Sequence, residues 1–156
     1  ILDTFQEQPQ SRIFEEAVSL AASFASTVQT SESLLDLMFV GTEAYCFSSG
    51  RGLAHADRMM EILACVQPCH DKPFADLLPM LFNHASLLSG CICILLSWDD
   101  ERKKAVKTLQ SLGVPLKVVI ISEGKENNFD PGPMRGDPNN FHVLAAENME
   151  SGVAGL

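Results

Sequence analysis

Strand-length apolar runs alternate with stretches of helical periodicity along this chain, and that alternation restricts the fold more than any other feature. Ile1-Leu2-Asp3-Thr4 reads as the end of a strand. Ser11 then caps a helix over 12–28, with Glu15 and Glu16 in its first turn, where the helix dipole favours negative charge. Phe14, Val18, Ala21, Ala25 and Val28 form its apolar stripe. Residues 34–40 and 43–48 read as two strands around Gly41-Thr42, a pair suited to a tight antiparallel hairpin. A second helix follows Gly52 and stops at Pro68, and a third stretch over 73–89 is expected to bend or divide at Pro79. Cys91–Ser97 and Pro115–Ile121 are continuous apolar runs, as expected of strands covered on both faces of a parallel sheet. Between them Asp99, Asp100 and Glu101 open a helix that Gly113 ends. Phe141–Leu144 returns as a short edge strand before a terminal helix.

This pattern predicts an α/β, doubly wound, Rossmann-like fold. The sheet is mostly parallel with one antiparallel edge strand, and helices cover both faces. Ligands in such sheets sit beyond the carboxyl ends of the strands, where the strand order reverses. With Ile1–Thr4 central and beside Cys91–Ser97, the crevice is lined by Asp3, Thr4, Ser97, Trp98 and Asp99.

At 156 residues the chain fits a single domain spanning 1–156, and 46% hydrophobic content supports a packed core. Twenty acidic against eleven basic side chains give a net charge of −9, which argues against nucleic-acid binding. The longest dense apolar run, Cys91–Leu96, is strand-sized, so no membrane segment is expected within this chain. The start at Ile1, inside a strand, reads as a piece of a longer protein whose remainder could carry membrane helices. Residues 123–140, rich in Gly, Pro and Asn, read as a mobile loop.

Several constellations suggest chemistry. Asp3, Ser97, Asp99 and Asp100 offer oxygen ligands to a hard cation such as Mg²⁺; the plain alternative is that Asp99 and Asp100 cap the next helix. Arg51, in Ser48-Ser49-Gly50-Arg51-Gly52, could hold an anion beside a helix start, but the P-loop lysine is absent. Cys65, Cys69 and His70, with Cys91 and Cys93, do not match zinc-finger or ribbon spacing. Cys91 and Cys93, two apart on a strand, share one face. The five cysteines read as free structural thiols, with slow labelling at Cys46, Cys91 and Cys93 and faster labelling near Cys69. No G-x-S-x-G elbow joins Ser49 or Cys69 to a histidine base.

The segment Phe14–Ala25 resembles the helix after the first strand of the bacterial domain-of-unknown-function 58 proteins, which carry a von Willebrand factor A-like domain. Leu37-Met38-Phe39-Val40-Gly41, Gly50-Arg51-Gly52, Glu61-Ile62-Leu63-Ala64 and Leu95-Leu96-Ser97 continue the likeness in order and spacing up to Ile121. The resemblance implies a non-catalytic protein-interaction module. It would work with a MoxR-type AAA+ ATPase in assembly or maturation of other proteins, in the cytoplasm or as the cytoplasmic domain of a membrane-anchored protein. It also implies a metal-ion-dependent adhesion site of the form Asp-x-Ser-x-Ser, with a later Thr and Asp. Here Asp3 and Asp99 match the two aspartates, while Phe5 and Glu7 replace the serines and the 50–53 turn has no Thr. The binding crevice is therefore assigned to Asp3, Thr4, Ser97, Asp99 and Arg51, with a degenerate metal site and no cofactor. Should a metal bind, Asp3 and Asp99 would hold it. The competing reading is a metal-dependent hydrolase or transferase using Asp3, Ser97 and Asp99.

Overall fold

The computed structural model describes residues 1–6, 12–29, 35–41, 43–49, 53–124 and 129–148. Two strands, β1 (Leu35–Val40) and β2 (Ala44–Ser49), pair antiparallel from Leu35 opposite Ser49 to Val40 opposite Ala44. Three more, β3 (Cys91–Leu95), β4 (Leu116–Ser122) and β5 (Phe141–Ala145), form a parallel sheet in that order. The amino-terminal residues bridge the two sheets. The Leu2 amide donates to the Met38 carbonyl at 2.9 Å, while the Asp3 amide donates to Ile94 and the Ile94 amide to Ile1 on the other side. The order is thus β2, β1, the amino-terminal segment, β3, β4, β5. Strand connections leave the amino-terminal segment and β3 in opposite directions, which makes the gap between them the switch point.

Alternation sorts the strand side chains onto two faces. Leu37, Phe39, Ile94, Val119 and Ile121 pack under α1 (Arg12–Gln29) and α2 (Leu53–Cys65), against Leu20, Met59 and Leu63. Met38, Cys93, Leu95, Val118 and Ile120 pack on the opposite face under α3 (Leu78–His84) and α4 (Asp100–Ser111), against Leu81, Val106 and Leu109. Burial on both faces explains why the strands read as unbroken apolar runs.

Local chemistry sets the element ends. The 73–89 stretch divides just ahead of Pro79: a 3₁₀ turn over Phe74–Leu77 leads into α3, and Pro79 stands in its first turn, where the missing N–H has no helical partner to lose. The hairpin joins Val40 to Ala44 through three residues rather than two; Thr42 lies outside the described residues. After β5 the chain forms a 3₁₀ turn, Ala146–Asn148. Gly113 ends α4 at φ 78°, its amide donating to Gln110 and the next amide, of Val114, to Leu109. A Cβ there would meet nothing within 4 Å. Gly113→Ala should therefore cost about 1–2 kcal/mol from the left-handed backbone alone, read as a lower urea midpoint at unchanged m-value.

Candidate functional site

Three short pieces of backbone meet at the carboxyl ends of the amino-terminal segment and β3. The turn after β3 carries Ser97, Trp98 and Asp99. Asp99 is the N-cap of α4, its carboxylate accepting from the Arg102 amide at 2.9 Å. The Ser97 hydroxyl donates to the same carboxylate at 3.0 Å. Asp3, facing them, is fully buried.

Arg102 fills the space between the two aspartates. Its Nε donates to Asp3 Oδ2 at 2.6 Å and its Nη2 to Asp3 Oδ1 at 3.0 Å, a forked pair. Its Nη1 donates to Asp99 Oδ2. The Phe74 ring lies 4.6 Å below the guanidinium carbon, within cation–π range. Two backbone amides complete the Asp3 carboxylate: Phe5 to Oδ1 and Leu96 to Oδ2, both at 3.0 Å. Four donors therefore meet a group with about four lone-pair positions.

Electrostatics follow from this arrangement. Burial pulls the Arg102 pKa down, but the Asp3 and then the Asp99 carboxylate outweigh it and hold the pKa above its ordinary value. Partial burial pushes the Asp99 carboxyl up, but the Arg102 amide and guanidinium and the Ser97 hydroxyl draw it below the usual carboxylate value.

Of the sequence-derived crevice, Asp3, Ser97 and Asp99 come together. Thr4 does not face them: its hydroxyl donates to the Val40 carbonyl at 2.5 Å and ties the segment to β1. Arg51 lies outside the described residues. The residue missed is Arg102. Its signal was a charged side chain on the buried stripe of α4, in step with Ala105, Val106 and Leu109.

The residues do not fit a metal ion. A cation at Asp3 and Asp99 would have to displace the guanidinium that already bridges both. Among the described residues no cluster of three or more His, Cys, Asp or Glu could hold one. The thiols also differ from expectation. Cys69 is buried, because its backbone pairs with the Thr4–Gln6 segment, while Cys65 is exposed and Cys46 and Cys91 are half-buried.

No protein-family model and no curated protein matches the chain. Among solved structures it is similar to an aerotolerance-related membrane protein from Bacteroides fragilis carrying multiple mutations to serines. The TM-score is 0.51 at 9% identity, over 99% of this chain and 96% of that one. At that identity the likeness concerns the fold alone, and the fold is a doubly wound, Rossmann-like α/β sandwich.

Proposed function

We propose that the chain is a non-catalytic protein-interaction module of the von Willebrand A-like type, in which a tethered guanidinium stands where a metal-dependent relative holds its cation. The observation that carries this reading is the saturation of Asp3 by Arg102 and two backbone amides. A buried carboxylate with all its acceptor positions engaged is not available as a metal ligand, base or nucleophile. The positive charge is covalently fixed, so partner binding at this face does not depend on free Mg²⁺.

The resemblance to domain-of-unknown-function 58 proteins supplies the partner class, a MoxR-type AAA+ ATPase acting in assembly or maturation of other proteins. It also supports placement as the cytoplasmic domain of a membrane-anchored protein, and the solved neighbour is itself described as a membrane protein. Among the described residues no helix is long and apolar enough to cross a membrane.

Calorimetric titration with Mg²⁺ and Mn²⁺ is expected to give no saturable heat. Capture of a MoxR-type ATPase from the same genome, by the full-length protein, is expected to persist in EDTA. Micromolar metal binding abolished by Asp3→Ala would overturn this reading. A hydrolase substrate screen would then separate metal-dependent adhesion from catalysis.

A further inference from the structure

At the end of the sheet away from Asp3, β1 and β3 face each other across a gap. β1 reaches back to Leu35 and β3 to Cys91, while the amino-terminal segment between them pairs only as far as Ile1, whose nitrogen donates to the Ile92 carbonyl at 2.7 Å. The gap opens into a cavity of about 1250 Å³, lined by Phe24 and Ala25 on one face of the sheet and by Leu88 and Leu116 on the other. Its walls are also backbone. A strand residue turns its N–H and C=O toward the same neighbour. The Met38 carbonyl accepts from Leu2 and the Ile92 carbonyl from Ile1, so the Met38 and Ile92 amides face the gap too. Among the described residues neither amide has an acceptor there, and Met38 is buried. Buried backbone amides are rarely left without a partner.

We infer that this gap is the seat of two further strand residues, both apolar, joined directly ahead of Ile1 in the full-length protein. The parallel ladder already formed sets their register. The Asp3 amide donates to Ile94 and the Ile94 amide to Ile1, and Ile1 donates to Ile92. Continued by one residue, the segment brings a carbonyl to the Met38 amide; continued by two, it brings one to the Ile92 amide. Side chains alternate between the faces, with Leu2 in the cluster under α1 and α2 and Ile1 against the cluster under α3 and α4. The first added residue therefore packs on Phe24 and Ala25, and the second on Leu88 and Leu116.

The ladder also favours a joined segment over a separate peptide. A peptide ending beside Ile1 comes no nearer to its nitrogen than a hydrogen bond, about 2.8 Å, where a peptide bond is about 1.33 Å. Its carbonyls would then stand about half a residue out of step with the Met38 and Ile92 amides, since strand residues rise about 3.3 Å each. The joined residues tie β1 to β3 over a longer run and so hold in place the segment that carries Asp3.

The test compares the 156-residue chain with the same chain preceded by Val-Ile or by Asp-Lys, using amide hydrogen exchange and thermal melting. The Val-Ile extension should slow exchange at the Met38 and Ile92 amides by about tenfold or more and raise the melting temperature by on the order of 5–10 °C. The Asp-Lys extension should do neither, because its charges cannot be buried between the helices. Free Val-Ile dipeptide at millimolar concentration should leave both amides unchanged. Unslowed exchange at Met38 and Ile92 in the Val-Ile form would overturn the inference. Equal protection by the free dipeptide would overturn the need for a joined segment. Protection that rises with protein concentration in the unextended chain would give the gap to a second copy instead.

Discussion

Arg102→Met should lower the stability of this protein by about 3–5 kcal/mol, because it leaves the Asp3 carboxylate buried without its charge partner. Asp3 has no exposure to recover solvation, and its two remaining donors, the Phe5 and Leu96 amides, are neutral. For a chain of this size the melting temperature should fall by on the order of 10 °C. Arg102→Lys should recover only part of the loss, since an ammonium cannot make the fork that Nε and Nη2 make with Asp3. Asp3→Asn in combination with Arg102→Met should destabilise less than the sum of the single changes, and that coupling identifies the pair. A loss below about 1 kcal/mol for Arg102→Met would show that the pair contributes as little as a surface ion pair does.

The same cluster sets a dependence on acid. Asp99 has a folded pKa below its unfolded value, so its contribution is fully present above the unfolded pKa. It is lost as pH falls through the ordinary carboxylate range toward the lower folded value. Denaturant midpoints measured between pH 6 and pH 3 should therefore fall at the acid end, and Asp99→Asn should flatten that limb.

The second large effect is expected at Trp98. Its ring is buried 5.2 Å from the Phe141 ring, and its indole N–H donates to the Asp130 carbonyl at 2.8 Å. Trp98→Ala should cost about 3–5 kcal/mol. Its reach should extend to residues 129–140, where Met134 is buried in the same cluster and accepts from the Gln110 amide group at 3.2 Å. Limited proteolysis of Trp98→Ala should therefore cut within this segment faster than it cuts the wild type. Trp98→Phe keeps the aromatic contact and loses the indole hydrogen bond, so it should cost only about 1 kcal/mol. Equal losses for the two substitutions would mean that the hydrogen bond, and not the ring packing, holds the segment.

The segment over 123–140 shows why composition alone is a poor guide to loop anchoring. Its Gly, Pro and Asn content is that of a mobile loop, yet residues 129–140 make two 3₁₀ turns, Gly132–Gly136 and Pro138–Asn140. Asp130 braces the first turn by accepting from the Gly132 amide and from Arg135. The buried Met134 and the Trp98 indole help to anchor this stretch. Both contacts cross from one part of the chain to another, so no local window of sequence contains them.

What the sequence determined by itself is whatever depends on short-range periodicity. The two-residue alternation of β3 and β4, the apolar stripes of α1 and α2, the Asp99 cap and the Gly113 stop each involve residues within a turn or a strand of one another. From these the doubly wound order and the switch point beside Asp3 follow, because few topologies bury such strands on both faces. Only the tertiary structure decided what occupies that switch point. Asp3 and Arg102 are 99 positions apart, and they meet because β3 pairs with the amino-terminal segment and aims the first turn of α4 at it. The direction of Thr4 toward β1 was settled in the same way, by which neighbour the strand has on each side. An aspartate's charge can be read locally, but whether a metal, water or a guanidinium neutralises it depends on which side chain the fold brings within about 3 Å.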